Sequence, residues 1–487
     1  MAKVSNELLK TDNPTVTKAL CNLCNKVLRT GEWPTDWVRS VFITIPKKPG
    51  TTDCSEHRTI ALISHVSKIL LRILLKRMEG VADREFAEEQ MGFRKKVGTR
   101  DQIFNIRILM EKARESNVSL YMAFIDYKKA FDSVKRNILW RVMERMGVPK
   151  YITNSLRQLY RRQQAAVRVE EELSDWFEVT KGVRQGCLVS PACFNFYSEA
   201  VMRESADELS WIGVNISGRL INNLRFADDI GLIATSPERL QELLDLVHTV
   251  SMEYSLEIST KKTKVMAATK QPTELKIFCQ GVQLEQVPTF KYLGAIIDGS
   301  GGSSREIQAR LGAARTALGS LESIWKDRAL RKSTKLRVLR ALVWPVATYG
   351  CEAWTLHAKD TQKIQAFEMK CYRKLLRVSW TEHRTNDSVL AELGITRTLL
   401  NLVKRRKLQY FGHVTRAQNI STHILQGKIN GTRSRGRPRR RWCDDVRDWT
   451  GCSLAVCTQT AKNREEWRRL VLEATIVPDP PDEDGTR

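Results

Sequence analysis

FIDYKKAFDSV, residues 124–134, and LRFADDIGLIA, residues 224–234, are the stretches whose reading decides the fold. In the first, LYMAFI at 120–125 is an apolar run of strand length that delivers Asp126 at its end. Ile138, Leu139, Val142, Met143 and Met146 then mark a helix, which Gly147 closes. In the second, residues 224–226 and 230–234 read as the arms of a hairpin with Ala227-Asp228-Asp229 at its tip. Ser236-Pro237-Glu238 follows as the N-cap and first turn of a helix reaching about residue 254. Both acidic sites fall at strand ends beside helices, which predicts an α+β fold rather than a parallel doubly wound sheet.

Taken singly, an Asp after an apolar run is ordinarily a turn or cap residue, and Asp-Asp in a hairpin is ordinarily a solvated turn. The sequence between them changes that reading. GVRQGCLVSPACFNFY at 182–197 is a glycine-containing basic loop that runs into a helix and suits close approach to a nucleotide through its backbone and Gln185. An acidic doublet in a tight turn, opposed by a lone acid at a strand end, suits two divalent metals held side by side. One activates an attacking hydroxyl and the other stabilises the leaving oxygen of a phosphoryl transfer. Nucleotide polymerisation is the expected reaction.

Working outward, residues 1–40 read as helical up to a Trp33-Pro34 turn, and VFITIP at 41–46 as a short strand followed by the basic turn KKPG. Leu62, Val66, Ile69, Leu70, Ile73 and Leu74 follow the helix period, as do Ile103, Ile106, Leu109 and Met110, so two helices flank GFRKKVGT at 92–99. The 487 residues carry 80 Lys+Arg against 55 Asp+Glu, a formal charge of +25 that suits a polyphosphate partner and equally a ribosomal or histone-like binder. With 42% hydrophobic residues the chain is expected to build several cores. No apolar run approaches membrane-spanning length and no signal peptide is evident, so an intracellular protein with free thiols is expected. Cys21-x-x-Cys24 reads as two helix thiols rather than a ligand pair. His413, Cys443, Cys452 and Cys457 match no trusted zinc spacing, with zinc left as the alternative.

The ordered set HRTIALISHVSKIL, GFRKKVGT, FIDYKKAFDSV, GVRQGCLVSP, FADD, KKTKVM and FKYLG resembles the reverse transcriptase of non-LTR (LINE-type) retrotransposons, over residues 41 to about 300. The resemblance implies a right-hand polymerase of fingers, palm and thumb that copies an RNA template into DNA from a DNA primer or target, using dNTPs. It implies two Mg²⁺ ions, with Mn²⁺ as a substitute, on Asp126, Asp228 and Asp229. Phe131 matches the aromatic that lies under the sugar and excludes a 2′-hydroxyl, the alternative being a core Phe. Arg184, Gln185 and Gly186 match contacts to nucleotide and template, with a turn-stabilising role as the alternative. Arg58 and Arg94 resemble fingers residues that meet template or triphosphate, or else pair with local carboxylates. Lys262 occupies the position of the general acid for pyrophosphate. Tyr292 and Leu293 match the hairpin that grips the primer end, or are an ordinary strand. Phe226 before the doublet is usual among LINE-type relatives, and HRTI in place of YRPI suggests a subgroup.

The implied organisation is an N-terminal helical extension (1–40), fingers (41–119), palm (120–300), helical thumb (301–400), basic C-terminal nucleic-acid-binding region (401–475) and disordered tail (476–487). DGSGGSS at 298–304 reads as a hinge, followed by a helical stripe of Ile307, Leu311, Ala314, Leu318, Leu321 and Trp325. Twelve Lys/Arg and no acid lie between Lys404 and Arg441. Arg437, Arg439, Arg440 and Arg441 are therefore the strongest local candidates for phosphate contact, or for a nuclear-import signal that would place the protein in cytoplasm and nucleus. Trp442, Trp449 and Trp467 suit a small helical core, with base stacking as the alternative. About 40 residues precede the fingers, so a polymerase module without an endonuclease is expected. Two other classes fit less well: a non-catalytic nucleic-acid-binding remnant or domesticated retroelement protein, and an RNA-copying RNA polymerase, against which Phe131 weighs.

Overall fold

A computed structural model describes residues 7, 10, 13–208, 211–271, 273–432, 436 and 438–475; the expected disordered tail at 476–487 lies outside them. A helix, Pro14–Thr30, capped by Asn13 and ended by Gly31 at φ 71°, leads towards the first sheet. It buries Cys24 and leaves Cys21 exposed, both as free thiols. Strand β1 (Arg39–Pro46) pairs antiparallel with β2 (His57–Leu62), in register Ile43 to Ile60. β1 also pairs in parallel with β4 (Gln164–Val169), on which the short strands β5 (Glu172–Leu173) and β6 (Phe177–Glu178) close.

This sheet corrects one expectation. Leu62 is not in a helix: HRTIAL completes the ladder on β1, where its β-branched residues fit, and the helix begins after Ser64 and runs His65–Glu85. Residues 164–178, inside the expected palm span, pair with the sheet built by 39–62. A parallel partner for β1 requires a crossover, which the helices Arg136–Arg145 and Lys150–Arg161 provide.

The second sheet holds the acidic residues. β3 (Leu120–Ile125) lies at its centre, between β10 (Asp229–Ala234) and β11 (Lys264–Ala268), both antiparallel to it. β9 (Asn223–Phe226) forms one edge against β10, and Glu285–Gln286 the other against β11. Because side chains alternate along a strand, Tyr121, Ala123 and Ile125 enter one core while Leu120, Met122 and Phe124 enter another. The apolar run LYMAFI is continuous because both its faces are covered. The first core fills the space beneath the helices Ser190–Glu208 and Pro237–Glu253; the second joins the sheet to the helix Thr99–Glu115 and to the C-terminal helices.

A hairpin, Thr289–Tyr292 with Ala295–Asp298, leads to a helical region whose own core gathers Ile307, Leu311, Leu318, Trp325, Trp354 and Phe367. The expected hinge at 298–304 is instead a bonded joint. Buried Arg107 donates to Ser303 Oγ at 2.9 Å and to Ile296 O at 2.8 Å, Arg114 donates to Ser300 O, and Thr355 N donates to Ser303 Oγ at 3.1 Å. Glycine frees a chain only where nothing ties it, and here two arginines of one helix do. Residues 399–475 fold as helices Leu399–Ala417, Ile420–Gln426, Trp442–Thr450, Leu454–Lys462 and Arg464–Glu473 against Thr99–Glu115. Trp442 and Trp467 are core residues there and Trp449 packs against the edge. No helix among the described residues is long and apolar enough to cross a membrane.

Candidate active site

Asp126 follows the last residue of β3, and Asp229 opens β10, whose Ile230 pairs with Ile125. The antiparallel ladder therefore sets the lone acid beside the doublet. Asp126 is fixed by its backbone: its carbonyl accepts from Ser259 N at 2.8 Å and its N–H donates to Thr263 Oγ1 at 3.3 Å. Those partners flank Lys262, whose Nζ lies 3.4 Å from Asp126 Oδ1.

Burial raises the Asp228 pKa above the ordinary carboxylate value, the Asp126 charge raises it further, and Arg58 and Lys262 lower it. Asp229 is pushed up to about 6 by burial and then by repulsion from Asp228 and Asp126, although part of its side chain reaches water. Negative charge gathered at the two doublet aspartates beside Asp126 makes a site where a cation would be stabilising, and the hard oxygen donors suit Mg²⁺ or Mn²⁺. Among the described residues, however, no three acidic, His or Cys side chains are arranged as a complete ligand set, these three included. The donor chemistry fits divalent metal; the present side-chain positions do not close around one.

Of the other expected site residues, exposed Arg58 on β2 acts on Asp228. Half-buried Phe131 stacks on Phe194, with centroids 4.6 Å apart, at the foot of the 182–186 loop: Val183 N donates to Phe131 O at 2.8 Å. Gln185 donates to Asp132 Oδ1 at 3.4 Å, and its carbonyl accepts from Ala61 N at 2.7 Å, so loop and β2 are joined. Gly186, at φ 103°, is required here because a Cβ would stand 2.8 Å from Ala61 O.

Four assignments are corrected. Arg184 is only 2% exposed; it donates to Trp37 O at 3.0 Å and Val38 O at 2.7 Å, so its charge braces the first core instead of facing a nucleotide. Arg94 pairs with no local carboxylate among the described residues, and donates to the carbonyls of Phe86, Ala87 and Gln90, in the turn that follows the helix His65–Glu85. Tyr292 is buried beneath the sheet, with its hydroxyl 3.5 Å from Leu224 O, and so is a core residue; Leu293, at φ 48°, and Gly294 form the partly exposed turn of that hairpin. Arg440 donates to Asp445 and Asp448 and Arg441 to Asp444, so neither is a spare phosphate contact; Arg439 is exposed and Arg437 lies outside the described residues. More of the basic stretch is spent internally: Lys407 is buried on Asp445, Arg406 donates to Thr348, and Arg416 to Ala461 O at 2.5 Å. Cys457 lies 3.2 Å from Thr450 Oγ1, and His413 packs by Tyr410.

Sequence reasoning missed what lies along the free edge of β9. Residues 89–92 cover it: Met91 N donates to Arg225 O and Arg225 N to Glu89 O, each at 2.9 Å. Gln102 Nε2 donates to Glu89 O at 2.6 Å and Arg225 O at 2.8 Å, and Arg225 is ion-paired with Glu199 at 3.1 Å, both almost fully buried. The one available signal was Gly92, whose need for a close neighbour is invisible without the partner strand.

The sheet, its two acidic strand ends and the loop from 182 define a nucleotidyl-transfer palm. The profile of the reverse transcriptase (RNA-dependent DNA polymerase) family matches residues 45–297, just over half of the 487-residue chain, and the chain belongs to that family. It is 30% identical over 277 residues to a transposon-derived protein of Caenorhabditis elegans, covering 54% of this chain and 99% of that one. It is 28% identical over 299 residues to the Pol polyprotein of the type-1 retrotransposable element R2 of Nasonia vitripennis, covering 59% of this chain and 28% of that one. It is 25% identical over 382 residues to the RNA-directed DNA polymerase of the mobile element jockey of Drosophila melanogaster, covering 76% and 41%. The chain thus spans less than half of the R2 and jockey proteins. Among solved structures, apo telomerase from Candida tropicalis matches with TM-score 0.41 and 14% identity over 86% of this chain and 75% of that one, too slight a likeness to add to the fold.

Proposed function

We propose that this chain copies RNA into DNA by adding dNTPs to a primer 3′-hydroxyl, as the polymerase of a non-LTR retrotransposon. The observation that carries the reading is the meeting of Asp126 with Asp228 and Asp229 on adjacent strands, in a chain of net charge +25, with Lys262 Nζ 3.4 Å from Asp126. These aspartates would hold two Mg²⁺ ions, or Mn²⁺, which when bound supply activation of the attacking hydroxyl and neutralisation of the leaving phosphates. The protein's own residues do the rest. Phe131, backed by Phe194, excludes a ribose 2′-hydroxyl. Gln185 and Gly186, tied to β2, bound the nucleotide, and Arg58 adds positive charge beside Asp228. Lys262 gives its proton to the departing pyrophosphate. The Leu293-Gly294 turn lies against the primer. An RNA template, a DNA primer or target and dNTPs are the partners, in cytoplasm and nucleus.

Primer extension on poly(rA)/oligo(dT) with Mg²⁺ and dTTP tests this. Extension by the parent, lost when Asp228→Ala and Asp229→Ala are combined, is the expected result. A folded parent that binds RNA yet extends nothing would be a non-catalytic remnant.

A further inference from the structure

We propose that Gln90 is the positioning residue for the acidic turn, a role that rests on Asp228 and Asp229 being the reactive carboxylates. The turn has a structural problem. Ala227, the first residue beyond β9, sits at φ 58°, a left-handed conformation that disfavours any residue with a Cβ, and its side chain is buried. The β9–β10 ladder pairs Phe226 with Asp229 and leaves the Ala227 peptide groups outside it. A buried peptide group without a partner is costly.

Gln90 fills that need with one side chain. It is fully buried; its Oε1 accepts from Ala227 N at 2.9 Å and from Gly92 N at 2.8 Å, while its Nε2 donates to Ala227 O at 3.4 Å. Both peptide groups of the strained residue are thus held by a single amide, whose own backbone is fixed along the β9 edge. Gly92 makes the approach possible: a Cβ there would stand 2.3 Å from Ala227 N and 2.8 Å from Phe226 C. Gly92 O in turn accepts from Asn195 Nδ2 at 2.7 Å, on the helix Ser190–Glu208 that follows the Gln185 loop. One clasp therefore connects the acidic turn to the loop proposed to meet the nucleotide.

The consequence is directional. Ala227 and Asp228 are the two residues of the turn and Asp229 opens β10, so the orientation of the Ala227 peptide sets the path of the chain through both carboxylates. Gln90 need not touch substrate to control the rate. Geometry lost at a catalytic group lowers turnover more than substrate affinity.

The test compares the full-length parent with Gln90→Met, which keeps the volume and removes the acceptor, and Gln90→Glu, which keeps an acceptor at the same reach. Amide hydrogen exchange of peptide 224–234 is measured with primer extension on poly(rA)/oligo(dT) at varied dTTP. For Gln90→Met we expect exchange faster by about tenfold or more in that peptide, with the helices 304–376 unchanged. We also expect kcat lower by about tenfold or more, with KM for dTTP within about twofold. Gln90→Glu keeps the acceptor for Ala227 N and Gly92 N but loses the Nε2 donor to Ala227 O, so it should fall between the parent and Gln90→Met in protection and turnover. Unchanged exchange in 224–234 of Gln90→Met, or turnover equal to the parent's, overturns the proposal, since a merely structural Gln90 would change stability alone. Should Gln90→Met not fold, faster exchange of 224–234 in folded Gln90→Glu with 304–376 unchanged supports it, and exchange equal to the parent's overturns it. If the parent itself extends nothing, the polymerase reading falls and exchange alone decides the clasp.

Discussion

Replacing Asp445 by Ala should destabilise the protein severely, although Asp445 is not one of the acidic-site residues. Lys407 and Asp445 meet at 2.5 Å with both side chains fully buried. Asp445 Oδ2 also accepts from Leu356 N at 3.0 Å, and Oδ1 accepts from Arg440 Nε at 2.8 Å. Lys407 keeps three other supports, the Trp354 carbonyl at 2.8 Å and the faces of Trp442 at 4.7 Å and Trp449 at 5.4 Å. Burial lowers its pKa and Asp445 opposes that shift, so removing Asp445 strands an ammonium in the core. Breaking a buried pair from one side costs about 3–5 kcal/mol, whereas replacing both charges by apolar groups is often close to neutral. Over a cooperative unit of about 150–250 residues, 3 kcal/mol lowers Tm by roughly 6 °C or more. Urea and thermal melts followed by circular dichroism would measure Asp445→Ala, Lys407→Met and the double variant Lys407→Met with Asp445→Leu. The double variant should recover most of the loss. If Asp445→Ala costs less than about 1 kcal/mol, or if the losses simply add, the pair is not the buried anchor described.

Four further outcomes are expected. Phe131→Val should lower the preference for dTTP over UTP by about tenfold or more, read as the ratio of kcat/KM values on the same primer. Lys262→Ala should reduce kcat by about a hundredfold at saturating dTTP, with Lys262→Arg retaining more activity because a cation remains within reach of Asp126. Glu111 is pushed up to about 7, by burial first and against the opposing Trp442 N–H and Lys407. A carboxyl whose pKa rises on folding stabilises below its unfolded value and loses that contribution as pH climbs through about 7, so Glu111→Gln should raise Tm at pH 8 and leave it unchanged at pH 4. Arg439→Ala should flatten the salt dependence of RNA binding by about one unit of slope with Tm unchanged, while Arg440→Ala, which loses Asp445 and Asp448, should lower Tm.

The parts of this site that could be read from sequence are those whose chemistry and backbone lie in one segment. LYMAFI ends at Asp126 because a doubly covered strand must be apolar throughout, and FADD bends because its flanks alternate as hairpin arms; both are local statements. Arg184, Arg94 and Arg440 looked equally informative and were misread for one reason. A guanidinium has five donors, and whether they meet phosphate, carbonyl or carboxylate depends on how the chain folds back: Trp37 and Val38, far away in sequence, for Arg184, the turn after the helix His65–Glu85 for Arg94, and the following helix's Asp445 and Asp448 for Arg440. The same holds for 298–304, whose glycines announce freedom while Arg107, about 190 residues upstream, removes it.

A net charge of +25 therefore overstates the positive surface offered to a polynucleotide, because part of it is consumed in holding the C-terminal helices to one another and to the helical region before them. That use has a mechanical result. The helix Thr99–Glu115 carries Gln102 to the edge of β9, Arg107 to the 298–304 joint, and Glu111 to Trp442 N at 2.8 Å. A single rigid element thus touches the acidic hairpin, the start of the helical region and the C-terminal helices. Since Asp101 at its first turn also accepts from Tyr410 at 2.9 Å, loosening the C-terminal helices displaces a helix that the acidic strands lean on. Residues 399–475 are on this argument a structural support of the catalytic sheet, and losing them should impair the acidic site even where every aspartate and Lys262 is intact.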